Sequence, residues 1–344
     1  MASASPHIIE SEAKLGARLH RMGNGFWISQ GIYVVAKLGV ADHMSDEARP
    51  VSEIASAVGA SSEALYRIMR MLAAEGVFTE PQKHSMALTP MGQLLRRDHP
   101  GTLRQQFLGI TELDWFHWGH LLDCVRDGGD AMHRLHGKGL FEYLQDNPAI
   151  GRMFDEAMTG FVTENGLAVI AAYDFGQFKT MVDVGGGVGT FMTALLKAQA
   201  SLSGTVFDLP AVIASAKKNV ATQGLASRCD CVAGNFFESV PEGGQAYVAV
   251  SIIHDWDDDN SLAILRNIRK VIPANGKLLL VEMVVPEGDT PSYSKLLDVN
   301  MLVLTGGKER TEAEYRELGA RAGFRLSGVT PTRGPSGILE FVPI

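Results

Sequence analysis

The sequence has few cysteines, a shortage of positive charge and no long uninterrupted apolar run. Its three cysteines, Cys124, Cys229 and Cys231, cannot all pair, and the last two are too close for an ordinary disulfide or a C-x-x-C redox motif. We therefore expect a reducing compartment, the cytoplasm. The formal net charge of −8 disfavours nonspecific binding to nucleic acid phosphates or to an anionic membrane.

The apolar stretches give no sign of a targeting or spanning segment. The first seven residues lack a basic segment followed by an apolar core, and the most apolar stretches are interrupted by Lys37 or Glu282. We expect no membrane partner and no nucleic acid partner. The chain has 344 residues, 46% of them hydrophobic and 20% charged, which is enough for two globular domains. Because nucleic acid and membrane partners are disfavoured, we expect these domains to act on small molecules.

An apolar strand that breaks into glycines organises the rest of the chain. Residues 180–184 are followed by Gly185, Gly187 and Gly189 and then by a helical stretch, a pattern typical of the first β-turn-α unit of a doubly wound sheet. Such a turn brings backbone close to a nucleotide-like ligand. The alternative is a tight turn that binds nothing.

Two acidic residues indicate which nucleotide-like ligand this turn would bind. Asp183 lies inside the strand, so the loop differs from the nicotinamide fingerprint G-x-G-x-x-G, and its carboxylate favours a cofactor with a cationic amino-acid end, such as S-adenosylmethionine (SAM). Asp208 ends the next apolar stretch about twenty residues later, where a ribose-binding carboxylate is expected.

Strands alternate with helical stretches from residue 174 onwards. The apolar pattern predicts five parallel strands followed by an antiparallel edge hairpin. Their predicted bounds are 180–184, 205–209, 230–237, 246–253 and 277–285, with the hairpin at 324–327 and 337–341.

The N-terminal third has a different, helical pattern. Apolar residues at helical spacing between 11 and 43, including Trp27, form a broad apolar face that another protein surface must cover. We expect that surface to be a second copy of the chain, which makes a homodimer through this region. Residues 51–89 then have the pattern of a winged helix-turn-helix. Arg67 and Arg70 would reach phosphates if it bound DNA; few basic residues flank them, which favours a scaffold reused for dimerisation.

Residues 102–165 are helical and rich in aromatic residues and methionine. Such residues more often form a core than a ligand pocket, but some are suited to the wall of a planar substrate. We expect Trp115, Trp118, Phe154, Met158 and Phe161 to be substrate-binding. His117 and His120, at i and i+3, lack a third metal ligand and are expected at the surface or in the core.

Three further residues could carry chemistry. His254 follows a predicted central strand, where it could act as a general base or be satisfied by backbone. Glu282 lies inside an apolar strand, which is costly for an unpaired carboxylate. Glu309 lies between two basic residues, either in a site or at a solvated helix start. The run Asp257–Asp259 is explained more simply by a helix N-terminus than by a metal site.

Several motifs in order resemble one family. The segments 183–189, 207–210, 253–256, 281–282 and 306–311 look like the SAM-dependent O-methyltransferases of the caffeate and hydroxyindole type, over nearly the whole chain. The resemblance implies that His254 deprotonates a substrate hydroxyl while Glu282 and Glu309 flank it. It also implies that the glycine loop and Asp208 hold SAM and that Trp256 packs near its adenine.

Two departures from the family pattern affect this expectation. Asn235 stands before Phe236 where an aspartate is usual; its carbonyl can still accept a hydrogen bond from the adenine amino group, without the charge. Val250 and Ser251 replace the Lys-Trp of plant members, which puts phenylpropanoid specificity in doubt and makes the chain look bacterial.

The sequence thus predicts an α/β fold with a mostly helical N-terminal winged-helix dimerisation domain and a Rossmann-like class I methyltransferase domain with a mixed seven-stranded sheet. The predicted boundaries are 1–100 for dimerisation, 101–170 for a helical connector that contributes to the substrate pocket, and 171–344 for SAM binding. We expect O-methylation of a small aromatic hydroxyl, with S-adenosyl-L-homocysteine as the product and no metal; a metal-dependent methyltransferase, a SAM-binding relative with another reaction and a DNA-binding regulator are the alternatives. The remaining expected cofactor contacts are Leu209 and Ser251, and the remaining substrate contacts are Asp255, Asn300, Met301 and Leu304.

Overall fold

The structure is a computed structural model that describes residues 11–344, apart from the side chains of residues 110, 156, 159–162 and 164. Its contacts divide the chain into two compact units, of which the first ends at Glu112 and the second begins at Leu113. The predicted boundaries at 100 and 170 stay predictions. No helix within the described range is long and apolar enough to cross a membrane.

The first unit is mostly helical and has a small sheet. Its helices are α1 (Glu12–Gly23), α2 (Gly25–Leu38), α3 (Val51–Val58), α4 (Ser62–Ala74), α5 (Pro90–Gln93) and the first part of α6 (Arg104–Trp118). Its strands are β1 (Arg49–Pro50), β2 (Phe78–Gln82) and β3 (Ser85–Leu88), which pair antiparallel in the order β1-β3-β2. The Ser61 hydroxyl accepts a hydrogen bond from the Ala64 amide and so caps α4.

The core of the first unit lies between α2, α3, α4 and the sheet. Val35, Ile54, Leu65, Met69 and Leu72 are buried there. The helix α1 contributes no buried residue. Apolar side chains of α1 and the start of α2 are at least half exposed in the single chain: Leu19, Met22, Phe26 and Trp27.

The second unit begins with helices and continues as an α/β sheet. The remaining helices are α7 (Leu121–Asp127), α8 (Ala131–His136), α9 (Leu140–Asp146), α10 (Pro148–Ala172), α11 (Thr190–Ala198), α12 (Pro210–Thr222), α13 (Asp258–Val271), α14 (Tyr293–Leu304) and α15 (Glu312–Arg321). The strands are β4 (Thr180–Val184), β5 (Ser203–Asp208), β6 (Cys229–Ala233), β7 (Ala246–Val250), β8 (Lys277–Glu282), β9 (Phe324–Pro331) and β10 (Gly337–Pro343).

The seven strands form one sheet in the order β6-β5-β4-β7-β8-β10-β9. The first five are parallel, and β10 pairs antiparallel with both β8 and β9. This confirms the predicted mixed sheet. Strand order reverses on either side of β4, so the carboxyl ends of β4 and β7 border the crevice where such sheets bind ligands.

Both faces of the sheet are covered because alternate residues of each strand point to opposite sides. Val182 and Val184 pack with α13 and α15, whereas Met181 packs with α10, α11 and α12. A separate cluster joins α6–α9 to α14 through residues such as Leu113, Met132 and Leu304.

Candidate active site

The predicted site residues meet at the carboxyl ends of the parallel strands. Asp183 lies near the end of β4 and Asp208 ends β5; Asn235 follows β6, Ser251 follows β7, and Glu282 ends β8. The parallel topology therefore brings together residues that are up to about a hundred positions apart in the sequence.

The loop after β4 needs its glycines. Gly185, Gly187 and Gly189 all have positive φ, at +73°, +58° and +78°, a backbone region that other residues rarely adopt. A Cβ on Gly185 would lie 2.5 Å from Ile252 Cδ1, whereas one on Gly187 would meet no atom within 4 Å. The Gly187 position thus faces open space in which a ligand could lie.

Two carboxylates border this loop. Asp208 Oδ2 accepts a hydrogen bond from the Gly187 amide at 2.8 Å, and Oδ1 accepts one from the Leu209 amide at 2.6 Å. Asp183 is fully buried, and its Oδ2 has no hydrogen-bond partner within the described residues. Burial, assisted by the charge of Asp208, raises the pKa of Asp183 to about 7.

These residues fit SAM. The loop pairs a backbone cradle with two acids and presents no basic side chain, an arrangement that disfavours a pyrophosphate and suits a cation. The orphan oxygen of Asp183 is a buried acceptor that a ligand can satisfy. We therefore assign the methionine end of SAM to the neighbourhood of Asp183 and the ribose to Asp208 as expectations of the fit.

Aromatic side chains border the same loop. Phe236 lies close to Gly185 and packs edge-on against Trp256, with ring centroids 5.9 Å apart. Asn235 Oδ1 accepts a hydrogen bond from the Phe237 amide at 3.0 Å. Because a carbonyl oxygen has two lone pairs, Asn235 can still accept a bond from an adenine amino group. Its predicted role stays a prediction.

His254 is held by a carboxylate in a short 3-10 turn that spans Ile253–Asp255. Its Nδ1 donates a hydrogen bond to Glu309 Oε1 at 2.6 Å, and both side chains are largely or fully buried. This bond fixes the tautomer, so Nε2 is the atom left to accept a proton. The nearest acid to Nε2 is Asp255, whose Oδ1 is 3.8 Å away, too far for a hydrogen bond.

Glu282 shapes the same turn from the end of β8. Its Oε1 accepts hydrogen bonds from the backbone amides of Ile252 and Ile253, and its Oε2 lies 4.0 Å from His254 Nδ1. This explains a buried carboxylate in an apolar strand. It also corrects the predicted strand 246–253, which ends at Val250: Ser251 adopts φ +54° and the next two amides turn to Glu282.

The charges around His254 change its proton affinity. Burial lowers the pKa of His254, but the negative charges of Asp255, Glu282 and Glu309 raise it further, to about 10. Burial likewise raises the pKa of Asp255 to about 6 and that of Glu282 to about 7. The cluster therefore favours the imidazolium form, and the neutral imidazole, whose Nε2 can accept a proton, becomes more abundant as the pH rises towards 10.

Three supporting residues had no role predicted from the sequence, although Gly307 and Arg310 lie in the recognised segment 306–311. Arg310 is buried and donates to the carbonyl oxygens of Ile253 and Trp256, which fixes both ends of the turn that carries His254. Asp298 Oδ1 accepts a hydrogen bond from the Glu309 amide at 2.9 Å. A Cβ on Gly307 would lie 2.1 Å from the His254 carbonyl oxygen. Their partners lie elsewhere in the chain, so the local pattern could not indicate these contacts.

His254, Glu282 and Glu309 could also hold a metal ion, because one ligand atom of each lies within 4.8 Å of the others. Two of these ligand groups are already engaged: Glu282 Oε1 binds two amides, and Glu309 Oε1 binds His254. The other predicted acidic group, Asp257–Asp259, opens α13 as expected, with Asp257 Oδ1 capping the Asn260 amide. His117 is buried and lies 3.0 Å from His136 through their Nε2 atoms.

The predicted substrate contacts lie on α6, α10 and α14 and in the turn that carries His254. Trp118 Nε1 donates to Asn300 Oδ1 at 2.6 Å, which joins α6 to α14, and Asp255 lies beside His254. Leu304 is buried in the helical core, where Phe154 packs partly exposed. Met301 is buried, Trp115 is half exposed, and Met158 is partly buried. Phe161 belongs to α10, but its side chain lies outside the described residues.

The chain matches two family models. One is described as an O-methyltransferase domain and covers residues 118–325; the other is an O-methyltransferase dimerisation domain and covers residues 21–98. The first alone spans more than half of the chain.

Individual relatives agree. The chain is 41% identical to the phenazine O-methyltransferase PhzM of Lysobacter antibioticus, over 96% of this chain and 97% of that protein. It is 33% identical to the 8-amino-8-demethylriboflavin N,N-dimethyltransferase of Streptomyces davaonensis, over 96% of each. Among solved structures it is similar to the O-methyltransferase NcsB1 from neocarzinostatin biosynthesis, solved in complex with SAM and 2-hydroxy-5-methyl naphthoic acid. The identity is 33% and the TM-score is 0.80, and the match covers 92% of this chain and 96% of that one.

The glycine loop with its two acids, the class I methyltransferase sheet and these matches lead to one conclusion: the chain belongs to the family of SAM-dependent O-methyltransferases that carry a dimerisation domain.

Proposed function

We propose that this enzyme methylates a hydroxyl group of a small aromatic metabolite and that His254 is its general base. One observation carries the proposal: Nδ1 of His254 donates to Glu309, so Nε2 is oriented and left to take a proton. The carboxylates of Asp255, Glu282 and Glu309 favour the imidazolium that results.

The proton affinity of the base suits a phenol. An unperturbed phenol loses its proton at a pKa of about 10, as tyrosine does. The carboxylates raise the pKa of His254 to about 10 as well. Transfer of the hydroxyl proton to Nε2 is then close to balanced in free energy, whereas an ordinary histidine would be too weak a base by several pKa units.

The protein contributes position and proton transfer. When bound, SAM supplies the electrophilic methyl group of its sulfonium. The acids Asp183 and Asp208 hold the cofactor at the end of β4, and the Gly187 amide positions Asp208 by donating a hydrogen bond to it. His254 Nε2 accepts the hydroxyl proton as the acceptor oxygen attacks, and Glu309 keeps the imidazole in line through its hydrogen bond to Nδ1.

The aromatic nature of the acceptor is supported by the relatives and by side chains near the site. The relatives described above are named for a phenazine and a flavin, and one neighbour was solved with a naphthoic acid. Trp118 and Tyr293 of this chain lie on α6 and α14 and offer flat surfaces to a planar ring. We extend an aromatic acceptor to this chain on that basis.

A second candidate is methylation of an amine, which the 33% identity to a riboflavin N,N-dimethyltransferase favours. An amine with a free lone pair attacks without first losing a proton, so it does not require His254 in the same way. Labelled SAM with matched pairs of phenols and anilines tests the choice. We expect methyl transfer to the phenols, lost with His254→Gln; transfer to the anilines alone would contradict the proposal.

We further propose that the cluster works with a proton rather than a metal ion. Glu282 and Glu309 each use one oxygen on the protein itself, so only the second oxygen of each, which is buried without a hydrogen-bond partner among the described residues, is left for a cation. Full activity after extensive dialysis against a chelator supports this. Loss of activity that a divalent cation restores would favour the metal-dependent alternative instead.

The N-terminal unit is proposed to form a homodimer. It matches a dimerisation domain, and α1 exposes Leu19 and Met22 at 71% and 69% of their surface. Apolar side chains so exposed on one helix are typical of a surface that a partner covers. Binding of DNA is disfavoured because Arg70 lies over the ring of Tyr66, 5.4 Å from its centre, within a chain of net charge −8.

A further inference from the structure

Asp258, the second acid of the run that opens α13, pairs with an arginine in the interior. The first acid, Asp257, caps the helix by accepting a hydrogen bond from the Asn260 amide. Asp258 Oδ1 instead accepts hydrogen bonds from Arg310, from Nη2 at 2.8 Å and from Nε at 3.2 Å. The Asp258 side chain is 40% exposed and that of Arg310 only 1%, so this ion pair connects the surface with the interior.

Every N–H group of that arginine has an acceptor. Nη1 donates to the carbonyl oxygens of Ile253 at 3.1 Å and Lys308 at 3.2 Å, and Nη2 donates to that of Trp256 at 2.9 Å. Nε and the second N–H of Nη2 are directed at Asp258. A guanidinium has five N–H donors in a fixed fork, whereas a lysine has three on one flexible nitrogen. Arg310 therefore matches this set of acceptors and a lysine does not.

The turn that carries His254 is bound by two opposite charges. Glu282 Oε1 accepts hydrogen bonds from the amides of residues 252 and 253, at 3.2 and 2.8 Å. The Arg310 guanidinium donates to carbonyl oxygens at both ends of the turn. Hydrogen bonds to ionised groups are roughly twice as strong as neutral ones, so the backbone on either side of the imidazole is held firmly. Asp258 supplies the counter-charge that a buried guanidinium requires.

Glu309 and Arg310 act on the base from one segment of the chain. Glu309 Oε1 holds the imidazole through Nδ1 at 2.6 Å, and Arg310 holds the backbone of the turn. The segment is itself fixed: the Glu309 amide donates to Asp298 Oδ1, and the Arg310 carbonyl oxygen accepts from the Val285 amide at 3.0 Å. Movement of the Arg310 side chain would therefore shift the turn relative to Glu309, and with it the direction of Nε2.

We propose that Arg310 and Asp258 are positioning residues for His254, which set the direction of its Nε2 through the backbone of the turn. The inference rests on the proposed function, in which His254 is the base. It adds that a partly exposed acid outside the cofactor loop controls the rate of methyl transfer and leaves SAM binding nearly unchanged.

Kinetics of the full-length enzyme test the proposal, with the phenol that the wild type methylates fastest as the acceptor. Arg310→Lys should lower kcat by about 10- to 100-fold, because a small misplacement of a catalytic group has an effect of this size. Asp258→Asn should lower kcat by about three- to tenfold, since asparagine keeps an acceptor oxygen but loses the charge. The Kd of SAM, measured by calorimetry, should stay within about twofold of the wild-type value in both variants.

Arg228→Lys is the matched control. The Arg228 guanidinium also donates to several carbonyl oxygens, those of Leu196, Gln199, Ala200 and Leu202. These lie next to the start of β5, at the amino ends of the parallel strands and away from the turn that carries the base. Arg228→Lys should lose stability in chemical denaturation, as Arg310→Lys does, but keep the wild-type kcat.

Nuclear magnetic resonance gives a readout that does not depend on turnover. With S-adenosyl-L-homocysteine bound and nitrogen-15-labelled histidine, the proton of the 2.6 Å bond from His254 Nδ1 to Glu309 should resonate far downfield, because the bond is short and charge-assisted. Its absence in His254→Gln identifies the signal. We expect the signal to shift or broaden in Arg310→Lys and Asp258→Asn and to stay unchanged in Arg228→Lys.

Wild-type kcat in both Arg310→Lys and Asp258→Asn overturns the proposal, and so does a fall in kcat matched by Arg228→Lys or by an equal loss of SAM affinity. Asp258→Asn alone decides if Arg310→Lys does not fold, because the Asp258 side chain is partly exposed and asparagine has the same shape. Wild-type turnover by His254→Gln would refute the proposed function itself. A loss of turnover in His254→Gln with none in the two variants rejects only the positioning role.

Discussion

The backbone of Gly307 lies directly against that of His254: a Cβ on Gly307 would be 2.1 Å from the His254 carbonyl oxygen and 2.7 Å from the Asp255 carbonyl oxygen. Both neighbours are backbone atoms of the short turn that carries the base, so neither can move aside without moving the imidazole. The glycine pair before Glu309 therefore sets the position of His254 as well as that of its partner.

Gly307→Ala should consequently lower kcat by at least about tenfold, because a small displacement of a catalytic group has a large effect on rate. It should also reduce the free energy of unfolding by about 1 to 3 kcal/mol through overpacking. Steady-state kinetics and chemical denaturation measure the two. Gly328→Ala is the control, since a Cβ there meets no atom within 4 Å; equal kinetics for the two variants would contradict the close packing.

Gly187 in the cofactor loop and Gly224 after α12 form a matched pair of glycines. Gly187 and Gly224 both have positive φ, and an added Cβ meets nothing within 4 Å at either position. Alanine at each should therefore cause a similar loss of stability from backbone strain. Only Gly187→Ala should weaken SAM binding, measured by calorimetry, because its Cβ would enter the open space beside Asp208 in which the cofactor is proposed to lie. Unchanged SAM affinity in Gly187→Ala would show that this loop does not hold the cofactor.

Binding of SAM should depend on pH through Asp183. Its pKa is raised to about 7, so the carboxyl group is partly protonated at neutral pH, and a cationic ligand binds better to the ionised form. Affinity should rise as pH increases through about 7 and level off above it, with proton release seen by calorimetry in buffers of different ionisation enthalpy. Asp183→Asn should flatten this dependence. A pH-independent wild type would refute the role given to Asp183.

The exposed apolar face of α1 predicts the oligomeric state. The double substitution Leu19→Glu and Met22→Glu places charges on a surface that a second copy is proposed to cover. Light scattering should then show monomers where the wild type is dimeric. Ile344→Glu, at a side chain of similar exposure, is the control. A double variant that stays dimeric would move the interface elsewhere.

Much of the fold could be predicted because the periodicity is local. The strand 180–184 was predicted with the bounds that the structure shows, and the mixed sheet, the edge hairpin and the helix after Asp257 are confirmed. Three strands were predicted too long: 230–237 ends at Ala233, 246–253 at Val250 and 277–285 at Glu282. For the second, the reason is that Glu282, distant in sequence, draws the amides of Ile252 and Ile253 out of the strand pattern.

The site was predicted only in part, because only some of its residues belong to motifs that are continuous in sequence. Motifs such as the glycine loop and the segment around His254 are continuous in sequence and could be recognised. Arg310 and Asp298 act through partners elsewhere in the chain. The winged helix and the cytoplasmic location stay predictions.

The most direct test of the account is the pH–rate profile of the wild type and of His254→Gln with two acceptors whose hydroxyl pKa values differ by about two units. With His254 as base, the wild-type rate rises from neutral pH towards the raised pKa of about 10 at the same position for both acceptors. In His254→Gln turnover falls by about 10² to 10⁴, SAM affinity is retained, and the remaining limb follows the pKa of each acceptor. His120→Gln, on a partly exposed histidine, serves as the control. Wild-type turnover by His254→Gln at pH 7, or a wild-type limb that moves with the acceptor, would contradict the central claim.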